Sequence, residues 1–167
     1  MRNTVETVIA TIVVPGVAAI LVPYWLLTQT AGTWPTKIGL YEVFAIFGVL
    51  LGFGIVVWVS YTFVRFGIGT PVPLDPPDRF IVRGLFRYVR NPMYVGALSI
   101  LLSEALFFRS AWLLLYAFGL WLALHLFLIV FEEPQLKKRF GESYLTYQRS
   151  VPRWLPRRPQ VGSQSGE

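Results

Sequence analysis

The chain has 167 residues, 54% hydrophobic and only 14% charged, with a formal net charge of +6. Soluble domains carry about 25% charged residues, so an ordinary water-soluble globule is excluded, and the apolar content excludes a disordered chain. The absence of cysteine excludes disulfides, thiolate metal sites and cysteine nucleophiles. In chain order, the first apolar stretch runs from about Val5 to Leu27 and holds Pro15, Gly16 and Pro23, so kinks are expected. It is too long for a signal-peptide core and no small-residue cleavage site follows it, so it reads as a span. The second stretch, about Leu40 to Phe66, carries Gly48 and Gly52 four apart with Gly54 just beyond, a spacing that lets helices approach closely. The loop after it opens with Gly67, Gly69, Pro71, Pro73, Pro76 and Pro77 and cannot be one continuous helix.

Pro92 suits the first turn of the third stretch, about Met93 to Phe108, and puts Asn91 at its N-cap. Glu104 lies toward the far end of that stretch, where an ion pair with Arg109 is expected. Only Arg109 and Ser110 separate it from the fourth stretch, about Ala111 to Phe131, which predicts a tight helical hairpin. A bilayer core needs about 20 apolar residues per helix, so three stretches qualify outright and the third is short. After Pro134, the residues Leu136, Phe140, Tyr144, Tyr147 and Val151 recur at three- and four-residue spacing. That pattern predicts one amphipathic interfacial helix over about 134–150. Residues 157–167 read as a disordered tail, leaving 1–156 as a single domain. The fold expected is all-α: a polytopic membrane bundle of four transmembrane helices with a C-terminal amphipathic helix.

Thirteen of the fifteen basic residues lie before the first stretch, in the Arg65–Asn91 segment or after the fourth stretch. The positive-inside rule puts these segments, and both termini, in the cytoplasm, and four spans agree with that. The expected setting is multi-pass in the cell membrane, with anionic headgroups as partners. Basic residues that flank spans, with no nucleic-acid module beside them, do not suggest a nucleic-acid partner. Glu132 and Glu133 stand at the end of the fourth stretch, where the negative end of a helix dipole disfavours acids, so they call for a positive partner. That partner could be a loop arginine, a cationic ligand or a lipid amine. His125, seven residues earlier, is an ionisable group inside a span; it is either a functional residue or one hydrogen-bonded to a neighbouring helix.

Two blocks carry a resemblance. Gly84-Leu85-Phe86-Arg87-Tyr88-Val89-Arg90-Asn91-Pro92-Met93-Tyr94-Val95-Gly96 is the first. Glu132-Glu133 with Leu136, Phe140-Gly141, Tyr144, Tyr147 and Val151-Pro152-Arg153 form the second. Together they resemble the isoprenylcysteine carboxyl methyltransferase and phospholipid methyltransferase superfamily of integral membrane enzymes. The resemblance covers roughly Pro73 to Pro156. Asn91 stands where the eukaryotic prenylcysteine enzymes have His. The resemblance implies S-adenosylmethionine as cofactor, lined by Arg90, Asn91, Pro92, Tyr94 and Gly96 on one side. Glu132, Glu133 and Leu136 would close the other side, with His125 as a neighbour. It implies methyl transfer to a lipophilic small molecule or lipid, through a carboxylate or amine, at the cytoplasmic leaflet. No metal site is expected. Membrane steroid and sterol reductases, which use NADPH, share a similar C-terminal half and stand as the alternative, as does a non-catalytic membrane scaffold.

Overall fold

The computed structural model describes residues 17–30, 35, 37–66 and 82–158. The expected start of the first span, the Gly- and Pro-rich opening of the loop and the tail from 159 lie outside the described residues. A π-helical turn, Val17–Leu21, leads into α1 (Val22–Gln29), where Pro23 sits in the first turn and needs no hydrogen-bond partner for a missing N–H. α2 (Leu40–Phe66) starts on Gly39. The Glu42 carboxylate accepts the Gly39 N–H at 2.8 Å, half of a capping box. At 1.5 Å per residue α2 is about 40 Å long, enough for a hydrocarbon core of ~30 Å. Phe44, Phe47, Leu51, Phe53 and Trp58 remain exposed along it, which suits lipid and not water.

α3 (Pro92–Phe107) packs against α2 through small residues. A Cβ on Gly52 would fall 2.6 Å from the Gly96 carbonyl oxygen, and one on Gly96 would fall 2.9 Å from that of Gly52. Gly48 faces Ser103, whereas Gly54 has open space beside it. The two backbones thus meet where the glycine spacing predicts close approach. The turn out of α3 is a Schellman motif: Ser110 N–H reaches the Ala105 carbonyl at 3.0 Å and Arg109 N–H that of Leu106 at 3.3 Å. Arg109 occupies the left-handed position at φ 49°. α4 (Ala111–Phe127) follows directly, so the expected hairpin forms. The Tyr116 hydroxyl donates to the Ala18 carbonyl at 3.0 Å, and Ala19, Leu101 and Ala117 form a small core where the first described turn meets the hairpin.

Two expectations are corrected here. Arg109 does not pair with Glu104; its guanidinium bonds the buried Glu42 carboxylate at 2.9 Å and lies over the Tyr41 ring. The left-handed Arg109 turns its side chain away from α3 and across to the start of α2. The Glu104 Oε2 is buried without a hydrogen-bond partner. The second correction concerns Pro134, which does not end the fourth helix. A π-helical turn, Leu128–Glu132, carries α4 into α5 (Glu133–Phe140), giving one helix over Ala111–Phe140. Pro134 falls in the first turn after the π-helical residues, where the ladder is already shifted and its missing N–H is tolerated. The break comes at Gly141, with φ +55° and ψ −131°, a conformation essentially reserved for glycine. α6 (Glu142–Ser150) follows, so two short helices replace the expected single one.

Among the described residues the chain is all-helical with no strand. Leu40–Thr62 and Ala111–Phe140 are long and apolar enough to cross a membrane, and Val17–Gln29 and Pro92–Phe107 are shorter apolar helices. The bundle has a turn end, where Arg109 meets Glu42, and an opposite end, where residues 82–92 meet 132–158.

Candidate functional site

The chain after α6 folds back as a strap. Arg90 N–H donates to the Pro152 carbonyl at 2.9 Å, and Arg157 N–H to that of Tyr88 at 3.0 Å, so 88–90 and 152–157 pair antiparallel. The tail expected from 157 is therefore tied down at its first residue. The Asn91 amide donates to the Arg153 carbonyl at 3.2 Å and the Tyr147 hydroxyl to that of Phe86 at 2.8 Å. Beneath the strap, Tyr144, Tyr147 and Val151 are buried, with Val82, Leu136 and Phe140 packed against them. The buried face of α6 is thus the face read from the spacing, while Glu142 and Arg149 stay exposed.

Glu133 is the hub of this end. Its Oε1 accepts from Arg90 Nη1 at 2.8 Å and Arg153 Nε at 2.7 Å. Its Oε2 accepts from Arg153 Nη2 at 3.0 Å and Gln148 Nε2 at 2.8 Å. The carboxylate side chain is 8% exposed and that of Arg90 10%. Buried charge is tolerated only when paired and hydrogen-bonded, and four donors on two oxygens meet that condition. The hydrogen bond to Glu133 raises the pKa of Arg153 further. Burial, with Glu133 nearby, pushes the Tyr144 phenol up to about 12, and burial also raises Tyr147. Both phenols therefore stay protonated.

Two guanidiniums against one carboxylate leave an excess positive charge at this end. Glu132 meets the Tyr94 hydroxyl in a side-chain hydrogen bond. Its Oε2 is nevertheless buried with no partner, and so is Arg90 Nε. Tyr144 feels Glu133, Arg90 and Glu132 together, so these groups surround one ring. A buried acceptor and a buried donor without protein partners in native structures call for an explanation, and a bound molecule is one.

Arg90, Tyr94, Glu132 and Glu133 are thus brought together, with Leu136 beneath the tyrosines. Pro92 is fully buried in the first turn of α3. Asn91 holds the N-cap position, as its spacing predicts, but its side chain makes no capping bond because it is committed to the strap. Gly96 does not join the cluster: Gly52, Ile55 and Val56 of α2 fill the space beside it, so it serves helix packing. His125 lies apart on α4, where its Nδ1 accepts the Trp154 indole N–H at 3.0 Å and its ring stacks on Trp121, centroids 5.3 Å apart. Neither of the arrangements expected for it, a cofactor contact or a bond to another helix, includes this strap residue. Gln148, Arg153 and Trp154 were not legible as site residues. Arg153 closes the second sequence block, but no spacing rule links it to a residue twenty positions earlier.

The family model for phospholipid methyltransferases matches residues 40–143, more than half of the chain. With its apolar helices and polar cluster at one end, the molecule is a membrane methyltransferase by class. The chain belongs to the phospholipid methyltransferase family, in the isoprenylcysteine and phospholipid methyltransferase superfamily. Comparison with curated proteins finds no match, and comparison with solved structures finds none either.

Proposed function

We propose that the protein is an S-adenosylmethionine-dependent methyltransferase that acts on a lipid or lipophilic small molecule at the cytoplasmic leaflet. The observation that carries this is the pair of partnerless buried atoms, Glu132 Oε2 and Arg90 Nε. One is an acceptor oxygen of an acid and the other a donor of a cation. Such a pair suits a zwitterionic amino-acid end, which offers an ammonium to Glu132 and a carboxylate to Arg90. The amides of Met93 and Tyr94 in the first turn of α3 add positive character for the same carboxylate. The donor set therefore fits the methionine part of the cofactor. When bound, S-adenosylmethionine supplies a methyl group already activated on a sulfonium.

What remains for the protein is alignment and exclusion of water, which supply most of the rate in a displacement of this kind. Glu133, with its oxygens filled by Arg90, Arg153 and Gln148, fixes the guanidinium of Arg90 and does not itself face a ligand. The strap and α6 cover the cluster from the aqueous side. The basic distribution supports four spans with both termini in the cytoplasm of the cell, the acceptor entering between helices from the inner leaflet.

The test is calorimetry of purified protein with S-adenosylmethionine, followed by labelled-methyl transfer into lipid extracts. Binding that the demethylated product displaces, together with label in the lipid phase, is the expected result. No binding heat and no label would sink the reading.

A further inference from the structure

The strap makes one contact that lacing the polypeptide does not require. Trp154 sits between residues that are already anchored: Pro152 and Arg153 hold 90 and 91 through their carbonyls, Arg153 holds Glu133, and Arg157 holds Tyr88. Its indole N–H then donates to His125 Nδ1 at 3.0 Å. An indole can only donate, so Nδ1 is the acceptor and the imidazole proton resides on Nε2. Trp121 stacks on the same ring, 17° from parallel, and Trp154 lies 6.1 Å from it. Tautomer and ring plane are thus both fixed, while Nε2–H has no protein partner among the described residues. His125 precedes Glu132 by seven residues on the same continuous helix, on the order of 10 Å deeper toward the bilayer.

We infer that Trp154 is a positioning residue that holds His125 as an Nε2–H donor for a headgroup oxygen of the methyl acceptor, a phosphate or carboxylate oxygen of a lipid. This rests on the proposed methyl transfer. The cofactor's zwitterionic end is matched by Glu132 and Arg90, so the donor further along the helix, on the bilayer side, is left for the second substrate. A lone imidazole would divide between two tautomers; fixing one presents the donor permanently, at no ordering cost when the acceptor arrives. A merely structural Trp–His contact would satisfy Nδ1 and leave acceptor recognition untouched.

His125 is the one histidine of the chain, so protein labelled with ¹⁵N-histidine gives a single imidazole to follow. The protein is placed in dodecyl maltoside micelles, which carry neither phosphate nor carboxylate, at mildly alkaline pH and the micelles are doped with phosphatidylethanolamine or, separately, with oleate. The expected spectrum is that of the Nε2–H tautomer, with the Nε2 signal moving on addition of one of the two lipids; which one responds separates phosphate from carboxylate recognition. Trp154→Phe should give mixed tautomers and weaken the apparent lipid affinity about twofold, in step with the fraction of imidazole left as the Nε2–H form, with S-adenosylmethionine affinity unchanged. His125→Asn keeps a group near the Nδ1 position, to meet Trp154, and removes the distal donor. Its melting should match the parent while the KM for the responding lipid rises about tenfold. A wild-type spectrum showing an Nδ1 proton, an Nε2 signal that answers neither lipid, or a Trp154→Phe change confined to cofactor affinity overturns the inference. Failure of the wild type to bind S-adenosylmethionine would instead sink the proposed reaction, and the lipid response of Nε2 would still report on His125.

Discussion

Both ends of the bundle bury a glutamate that is paired with arginine, yet the two are built for different things. At the turn end Glu42 uses one oxygen on the Gly39 N–H and the other on Arg109, and every partner is either local backbone or an exposed side chain. Both oxygens of Glu42 are filled. At the opposite end Glu133 draws its donors from three separate segments, and the saturated hub stands beside an acceptor and a donor that have none. A saturated buried ion pair is architecture. What marks a binding site is an unfilled acceptor and an unfilled donor in one neighbourhood; the turn end of α3 leaves only an acceptor, Glu104 Oε2.

Breaking the hub should have the largest effect. Glu133→Gln leaves Arg90 and Arg153 buried with one uncharged partner, and removing one member of a buried charged cluster costs about 3–5 kcal/mol. The expected outcome is a large fall in melting temperature in detergent and a strap that proteases cut. From sequence alone Glu133 reads as a cofactor contact; its four donors give it a part in holding the strap. The neighbouring Glu132→Gln sharpens the contrast. It should lower S-adenosylmethionine affinity by about ten- to a hundredfold, the worth of a charge-assisted hydrogen bond, and shift melting far less than Glu133→Gln. If calorimetry shows equal losses of stability for both, the distinction between hub and ligand residue is wrong.

Gly141→Ala addresses how the hub is assembled. A Cβ there would meet nothing within 4 Å, so the penalty lies in the backbone alone. Holding a non-glycine residue at φ +55° and ψ −131° costs about 1–3 kcal/mol. The measured melting temperature should fall accordingly, and cofactor affinity with it, because the elbow at Gly141 is what returns Gln148 and Arg153 to Glu133.

Periodicity and composition made much of this architecture legible. The α3 boundaries are within one residue of those read from the sequence, because Pro92 and the Arg109-Ser110 break mark them chemically. The Gly48–Gly52 stripe was readable for the same reason. Pro134 misled because the proline rule assumes an uninterrupted α-helical ladder, and the π-helical turn before it removes that assumption. The Arg109 pairing misled because Glu104 is closer in sequence, while a left-handed turn sends the side chain elsewhere. Arg90, Tyr94, Glu132 and Glu133 were legible as a set through two motif blocks. Which of the two glutamates is saturated was not legible, since it depends on Gln148 and Arg153, placed by an elbow and a strap that no local spacing encodes. Trp154 escaped for the same cause: its partner lies twenty-nine residues away on a different element.

The smallest effect is expected at the turn end, and it tests whether that end is only architecture. Arg109 pays a backbone penalty at φ 49° that glycine would not, roughly 1 kcal/mol for a left-handed residue. Arg109→Gly removes that penalty and also removes the ion pair with Glu42. The guanidinium is mostly in the open, with a side-chain exposure of 67%, but the Glu42 carboxylate is buried at 1%, so the change leaves its Oε1 unfilled. Glu42 is not left without a partner, because the Gly39 N–H still donates to it. The backbone gain offsets only part of the loss at Glu42, so melting should fall by less than for Glu133→Gln, and S-adenosylmethionine affinity and methyl transfer should be unchanged. Should Arg109→Gly instead abolish methyl transfer at unchanged melting, the turn end would have to take part in the reaction, and saturation would no longer distinguish a structural glutamate from one that belongs to a site.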